Sequence, residues 1–210
     1  MKLVLIGCPG AGKGTQAKKL SKHFDIAHIS TGDLLREQIS KGTELGKKVS
    51  EIINAGGLVS DDIVSAMLAE RIKADDCKNG FILDGYPRNV SQAEGLEAII
   101  GKLDKVVCFE VEDSIIVDRM TGRRGCPKCG QMFHVKYNPP KQDGVCDACG
   151  ETLIQRKDDN EETVVNRLKV YHETTAPVIN YYADKGILLE VNGVGDIDEI
   201  FNTVVSKLEA

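Results

Sequence analysis

The chain has no long hydrophobic run. No apolar stretch in its 210 residues approaches the ~18 needed to cross a bilayer, which excludes a helical membrane anchor. Met1-Lys2-Leu3-Val4 runs into a glycine-rich turn too soon for a signal peptide, so a cytoplasmic location is expected. Internal repeats, low-complexity segments and coiled-coil heptads are missing too. Positive charge is not in surplus: the net charge is −5, which argues against broad nucleic-acid affinity. His28, His134 and His172 form no recognisable acid–base pair, and no Ser–His nucleophile is visible. Arginine is scarce, with eight against nineteen lysines. What remains is a globular chain of one domain with elaborations, long enough for a substantial core.

The most informative stretch is Gly7-Cys-Pro-Gly-Ala-Gly-Lys-Gly-Thr15, directly after the buried-strand run Leu3–Ile6. Its Gly7-x-x-x-x-Gly12-Lys13 spacing is that of a phosphate-binding P-loop. Glycines let backbone N–H groups turn inward around an anion, and the following helix adds its positive end. Lys13 adds a mobile charge for the outer phosphates. The residue after the lysine is Gly14, with the hydroxyl one place later at Thr15. Metal ligation by a side chain at position 14 is therefore impossible, and the metal must be held elsewhere.

Short apolar strands alternate with helices along the chain. Strands are predicted at 2–6, 26–29, 80–84, 105–110 and 187–191. Helices are predicted at 13–24, from a Ser30–Asp33 cap to about 40, ending near 56–57, from a Ser60–Asp62 cap to about 74, at 90–100, 113–121 and 196–208. Residues 161–184 read as one long helix, bent at Pro177. This is the pattern of an α/β fold with a central parallel sheet covered on both faces, a three-layer sandwich.

Residues 122–159 interrupt that alternation. Cys126-x-x-Cys129 and Cys146-x-x-Cys149 are separated by sixteen residues, and each pair is followed by a glycine, as in two zinc knuckles. Four thiolates at this spacing favour a closed structural zinc site, with disulfides as the alternative. The segment has too few large apolar residues for its own core, so metal would hold it together as one small body.

Seven arginines fall in or beside motifs: Arg36, Arg88, Arg119, Arg123, Arg124, Arg156 and Arg167. Guanidinium forks suit bidentate phosphate contacts, and this distribution points to a heavily phosphorylated ligand.

Together the motifs resemble those of the adenylate kinase family over essentially the whole chain. The resemblance rests on Gly7–Thr15, Ser30-Thr-Gly-Asp33 with Arg36, Asp84-Gly-Tyr-Pro-Arg88 followed by Gln92, Gly122-Arg-Arg124, Arg156-Lys-Asp-Asp159 and Arg167. The cysteine insert resembles the zinc-bearing long lid of bacterial members. The resemblance implies a P-loop core (1–29, 60–121 and 160–210), a helical insert for the nucleoside monophosphate (30–59) and a zinc-ribbon-like lid (122–159). It implies reversible transfer between ATP and AMP giving two ADP, with Mg²⁺ accompanying ATP and structural Zn²⁺ on Cys126, Cys129, Cys146 and Cys149. Gly10, Ala11, Gly12, Lys13, Gly14 and Thr15 would hold the ATP phosphates, and Met132, Phe133 and Gly195 the rest of ATP. Thr31, Arg36, Gly57, Leu58, Val59, Gly85, Tyr86, Pro87, Arg88 and Gln92 would hold AMP. Arg119, Arg123, Arg156 and Arg167 would converge on the transferring group, with Asp84 orienting waters around Mg²⁺. Asp158 and Asp159 would link the lid to the rest.

Several residues keep a second reading. Tyr86 can pack rather than bind, Gln92 can be a solvated helix residue, and Arg36 and Arg167 can be ion-paired on helix faces. Two other functions also fit the motifs: a kinase for UMP/CMP or GMP, and a P-loop switch whose ribbon reads nucleic acid. The ribbon lacks a basic or aromatic stripe, which disfavours the last.

Overall fold

Successive residues of the first strand point into two different cores. In β1 (Lys2–Gly7), Val4 and Ile6 join one buried cluster while Leu3 and Leu5 join the other. The same alternation recurs in β3 (Phe81–Asp84), where Phe81 and Leu83 oppose Ile82, and in β4 (Lys105–Glu110), where Val106 and Cys108 oppose Val107 and Phe109. A period of two with both faces apolar is what a sheet sandwiched between helices requires.

The computed structural model describes residues 1–210. Its main sheet is wholly parallel, in the order β2–β3–β1–β4–β7, with β2 at Ala27–Ser30 and β7 at Leu188–Asn192. One face is covered by α4 (Asp61–Arg71), α5 (Val90–Ile100) and α8 (Pro177–Asp184), through Leu68, Leu96 and Tyr182 among others. The other is covered by α1 (Lys13–Phe24), α6 (Asp113–Thr121), α7 (Glu161–Val170) and α9 (Ile197–Glu209), through Leu20, Ile116, Val164 and Val204. No helix is long and apolar enough to cross a membrane.

Two elaborations rise from this sandwich. Between β2 and α4 lie α2 (Thr31–Ser40) and α3 (Glu44–Asn54), packed against each other at Gly46, where a Cβ would sit 2.1 Å from the Gln38 carbonyl oxygen. Ser30 caps α2 by accepting from the Asp33 N–H at 3.2 Å. Between α6 and α7 lies a ribbon built on the antiparallel pair β5 (Arg123–Gly125) and β6 (Met132–His134). Its buried core is only Cys126, Phe133, Cys146 and Leu153.

Three local expectations differ from the structure. The helix after Ser60 stops at Arg71, and Ser60 makes no side-chain cap; its first turn holds Asp61 and Asp62. The stretch read as one long helix is α7, a five-residue π-helical turn over Tyr171–Thr175, and α8. The wide turn directly precedes Pro177, so the break comes before the residue that lacks an N–H. The second strand begins at Ala27 rather than at Ile26.

Candidate active site

The C-terminal ends of β1, β2 and β3 open on one cleft, as parallel sheets with helical crossovers arrange. β1 passes through the glycine loop into α1, whose N-cap Gly12 has φ +93° and supplies no side-chain cap. A side chain at that φ would be strained, and the uncapped N–H groups of α1 are left facing the cleft end. Lys13 folds back over the loop, its Nζ donating to the Gly7 carbonyl at 2.7 Å and the Cys8 carbonyl at 2.9 Å. Burial pushes its ammonium below the usual lysine range, and Asp84 works against that shift. Both acceptors are neutral carbonyls, and an anion in the loop would offer the ammonium a stronger, charged partner.

Asp84 ends β3, level with Ser30 on β2 and Leu5 on β1. A Cβ at Gly14 would stand 3.3 Å from its Oδ2, so the missing side chain at position 14 leaves room for this carboxylate beside the loop. Burial raises the Asp84 pKa, but nearby His28 and Lys13 outweigh it and hold the carboxyl below its ordinary value. His28 Nε2 lies 3.6 Å from Asp84 Oδ2 and has no hydrogen-bond partner. This neighbour is invisible in the sequence, because β2 and β3 pair across more than fifty residues of chain.

The main cleft, about 1420 Å³, is lined by Gly10–Thr15, Asp84, Arg119, Arg123, Met132, Phe133, Arg156 and Gly195. A smaller recess of about 50 Å³ is lined by Thr31, Gly57, Leu58, Val59 and Gln92. Arg36, Gly85, Arg88 and Arg167 line both. The sequence-predicted residues thus come together, apart from Tyr86 and Pro87. Tyr86 is 1 % exposed, packs in the core, and meets Ser65 Oγ with its hydroxyl at 3.1 Å; neither residue lines the cleft or the recess. The packing alternative is the one realised.

Within the recess, Thr31 Oγ1 and Arg88 Nε both donate to the Gly85 carbonyl, at 2.9 and 2.8 Å. Arg88 therefore has its two terminal nitrogens left for an anion. Gln92 is buried rather than solvated: Nε2 donates to Asp61 Oδ1 at 2.7 Å and Oε1 accepts from the Arg88 N–H at 2.7 Å. One donor hydrogen and one lone pair of the carboxamide remain for a ligand. Asp61, which the sequence shows only as part of a helix cap, orients it.

Around the cleft, Arg123 makes a two-pronged contact with the fully buried Asp159, and Arg167 pairs with Asp158 at 2.6 Å. Arg156 faces Asp33 of α2 at 3.5 Å, and Arg36 holds the same carboxylate at 2.5 Å. Arg119 donates to the Gly193 carbonyl at 3.0 Å. Arg124, by contrast, turns to its own backbone at Thr121 and Arg123. Burial, with like charges adding to it, pushes Arg156 and Arg167 down to about 10. Three lysines (Lys13, Lys18 and Lys157) and six arginines line the cleft against Asp33, Glu37, Asp84, Asp158 and Asp196; counting Asp159 behind Arg123, nine cations meet six carboxylates, an excess of three positive charges.

That excess carries a testable cost. A basic group whose folded pKa lies below its unfolded one makes the fold bind fewer protons, so stability rises with pH through that interval. Below about 10 the penalty from Arg156 and Arg167 is fully present. Inorganic tripolyphosphate should relieve it, raising the thermal midpoint by several degrees at neutral pH and by less above pH 10. Calorimetry showing no shift at millimolar tripolyphosphate would contradict this reading of the cluster.

In the ribbon, the four cysteine sulfurs lie within 4.8 Å of one another and could hold a metal ion. The Cys129 N–H points to Cys126 Sγ at 3.5 Å, and Gly130 and Gly150 turn each knuckle at φ +69° and +73°. The two knuckles repeat the same backbone bonds, Gly130 N–H to the Cys126 carbonyl and Gly150 N–H to that of Cys146. An all-thiolate set of four is a closed donor shell with no open position for a substrate.

Comparison with known proteins agrees with this geometry. The Adenylate kinase family model matches residues 5–187. An adenylate kinase of Caldicellulosiruptor saccharolyticus is 53 % identical over 214 residues, covering 100 % of this chain and 98 % of the relative. One from Oceanobacillus iheyensis is 50 % identical (100 % and 99 % covered), and one from Clostridioides difficile 49 % (99 % and 98 %). A P-loop cleft and a second recess meeting at shared arginines, in a chain alike from end to end to these relatives, place it in a known group: the chain belongs to the adenylate kinase family of phosphotransferases.

Proposed function

We propose that this protein catalyses reversible, magnesium-dependent phosphoryl transfer between ATP and AMP, giving two ADP. The observation that carries the reading is the shared wall of the two cavities: Arg36, Arg88 and Arg167 line both. A donor held by the glycine loop and an acceptor held in the recess would then meet end to end at those guanidiniums. In-line displacement needs that arrangement and little else, because the acceptor phosphate is already an ionised nucleophile.

In this reading Lys13 leaves the Gly7 and Cys8 carbonyls for the outer phosphates of ATP. Arg88 and Arg36 take the AMP phosphate, and Thr31, Gln92 and segment 57–59 take its nucleoside. Arg123, Arg156 and Arg167 bear on the equatorial oxygens, where charge develops in transfer. Asp84, held ionised, stands where it can order waters on magnesium, which arrives with ATP and neutralises phosphate charge. The ribbon takes zinc on Cys126, Cys129, Cys146 and Cys149; the metal supplies rigidity, and no step of the reaction passes through it.

Water competes with AMP as acceptor, so the site must close. The insert (30–59) and the lid (122–159) would be the closing parts, moving against a core of 1–29, 60–121 and 160–210. Contacts that bridge these parts support the division: Arg156 with Asp33, and Lys18 with the Gly130 carbonyl. A cytoplasmic monomer is the form in which we expect the enzyme to work.

The deciding experiment is a coupled assay for ADP from ATP and each of AMP, UMP, CMP and GMP. AMP should be the best acceptor. Purified, zinc-loaded protein that forms no ADP from ATP and AMP would refute the proposal, and a preference for UMP, CMP or GMP would move it to a sister activity.

A further inference from the structure

One buried group beside the cleft is unaccounted for. Gln16, in the first turns of α1, is 3 % exposed and lines the main cleft. Its Nε2 donates to the Ile197 carbonyl at 2.9 Å, at the start of α9. That contact fixes which end of the carboxamide is which, since a carbonyl accepts only from the nitrogen. Its Oε1 is buried and has no partner. A buried acceptor left unpaired costs about 1–3 kcal/mol, so it calls for a reason.

The segment facing Gln16 has the complementary surplus. Between β7 and α9, the Gly193 N–H goes to the Glu110 carbonyl and the Val194 N–H to Asn192 Oδ1, while Asp196 caps α9 through the Asp198 and Glu199 N–H groups. The N–H groups of Gly195 and Asp196 donate to nothing. The segment is therefore held at its ends, by Arg119 on the Gly193 carbonyl and by Gln16 on the Ile197 carbonyl, and free in the middle. Gly193–Ile197 lines the same cleft as the glycine loop, and the family resemblance assigns Gly195 within it to ATP, so in the phosphotransfer reading this wall receives the donor's base.

We propose that Gln16 is a positioning residue for the base of the donor nucleotide. It ties the segment Gly193–Ile197 to the P-loop helix, and its free oxygen is the acceptor that an N–H of this segment takes up when a base settles against it. The tie links phosphate binding at one end of α1's first turn to base binding at the other. This inference rests on the phosphotransfer reading above but adds to it a residue that the motifs did not assign.

The test separates base from phosphates. Gln16→Leu and the nearly isosteric Gln16→Met remove both polar ends while keeping an apolar side chain of similar length. Loss of one such hydrogen bond should raise KM for MgATP about tenfold. The value of kcat, KM for AMP and the inhibition constant of tripolyphosphate, which has no base, should stay within twofold. An equal loss of ATP and tripolyphosphate binding would show a distorted P-loop and overturn the proposal, as would unchanged ATP kinetics. Should neither variant fold, amide exchange on the wild type decides: Gly195 and Asp196 should gain protection with a non-hydrolysable ATP analogue and none with tripolyphosphate. Equal behaviour with both ligands would overturn it. A wild type that makes no ADP fails the family activity instead, and so is told apart from a failure of Gln16.

Discussion

Lys13→Met is expected to lower kcat by about 10²–10³ while leaving the fold and thermal midpoint nearly intact. The structure gives both halves of that expectation. The ammonium's only bonds are to two carbonyls of the loop it guards, so removing it leaves those acceptors beside an open cleft rather than sealed in a core. Methionine retains the length of the apolar stem. Burial already pushes the ammonium toward its neutral form, so the empty site gains little from the charge. The charge matters once phosphates are present, and matters most as negative charge gathers on the transferring group. The loss should therefore fall on kcat more than on KM. Turnover within tenfold of wild type, in protein that melts normally, would remove Lys13 from its assigned role.

Arg123 makes the instructive contrast. Its partner Asp159 is fully buried, so Arg123→Ala would strand a carboxylate without its cation. Breaking a buried pair from one side typically costs about 3–5 kcal/mol. That variant should lose stability and activity together, and alone it is a poor probe of transfer chemistry. Arg88 is better, since only its Nε is tied down, to the Gly85 carbonyl.

The same comparison shows what a sequence can and cannot display. The glycine loop, the Ser30 cap and both cysteine knuckles were legible because each is a local pattern whose geometry is set within ten residues. So was the two-faced sheet, through strands with no polar alternation. Residues whose meaning depends on chain far away were not legible. His28 gains its neighbour only because β2 lies beside β3, and Asp61 matters only because α4 brings it to Gln92. Tyr86 went the other way: its place within Asp-Gly-Tyr-Pro-Arg suggested a ligand contact, yet its ring fills core space and its hydroxyl is satisfied by Ser65. Arg124 looks equivalent to Arg123 in sequence but turns to backbone carbonyls, as alternate residues of a strand point to opposite sides.

Cys129→Ser is expected to lower the thermal midpoint by roughly 10 °C, with turnover at low temperature reduced far less. Two of the four residues in the ribbon's buried core are themselves members of the cysteine cluster, so without metal only Phe133 and Leu153 would remain to hold it. Zinc in small ribbons supplies about 10–16 kcal/mol of apparent free energy, and even a third of that, at about 2–4 °C per kcal/mol for a chain of this size, gives a shift of this order. Turnover is buffered because the lid's arginines are anchored outside the knuckles. Arg123 is held by Asp159, which precedes α7, and Arg156 faces Asp33 of α2. Scanning calorimetry with and without a chelator, beside ADP formation at 10 °C and 37 °C, separates the two effects. A zinc-free ribbon that melts with the rest at the wild-type temperature would show that the apolar contacts suffice. A collapse of turnover at 10 °C with the midpoint unchanged would mean that the cysteines act on the reaction itself.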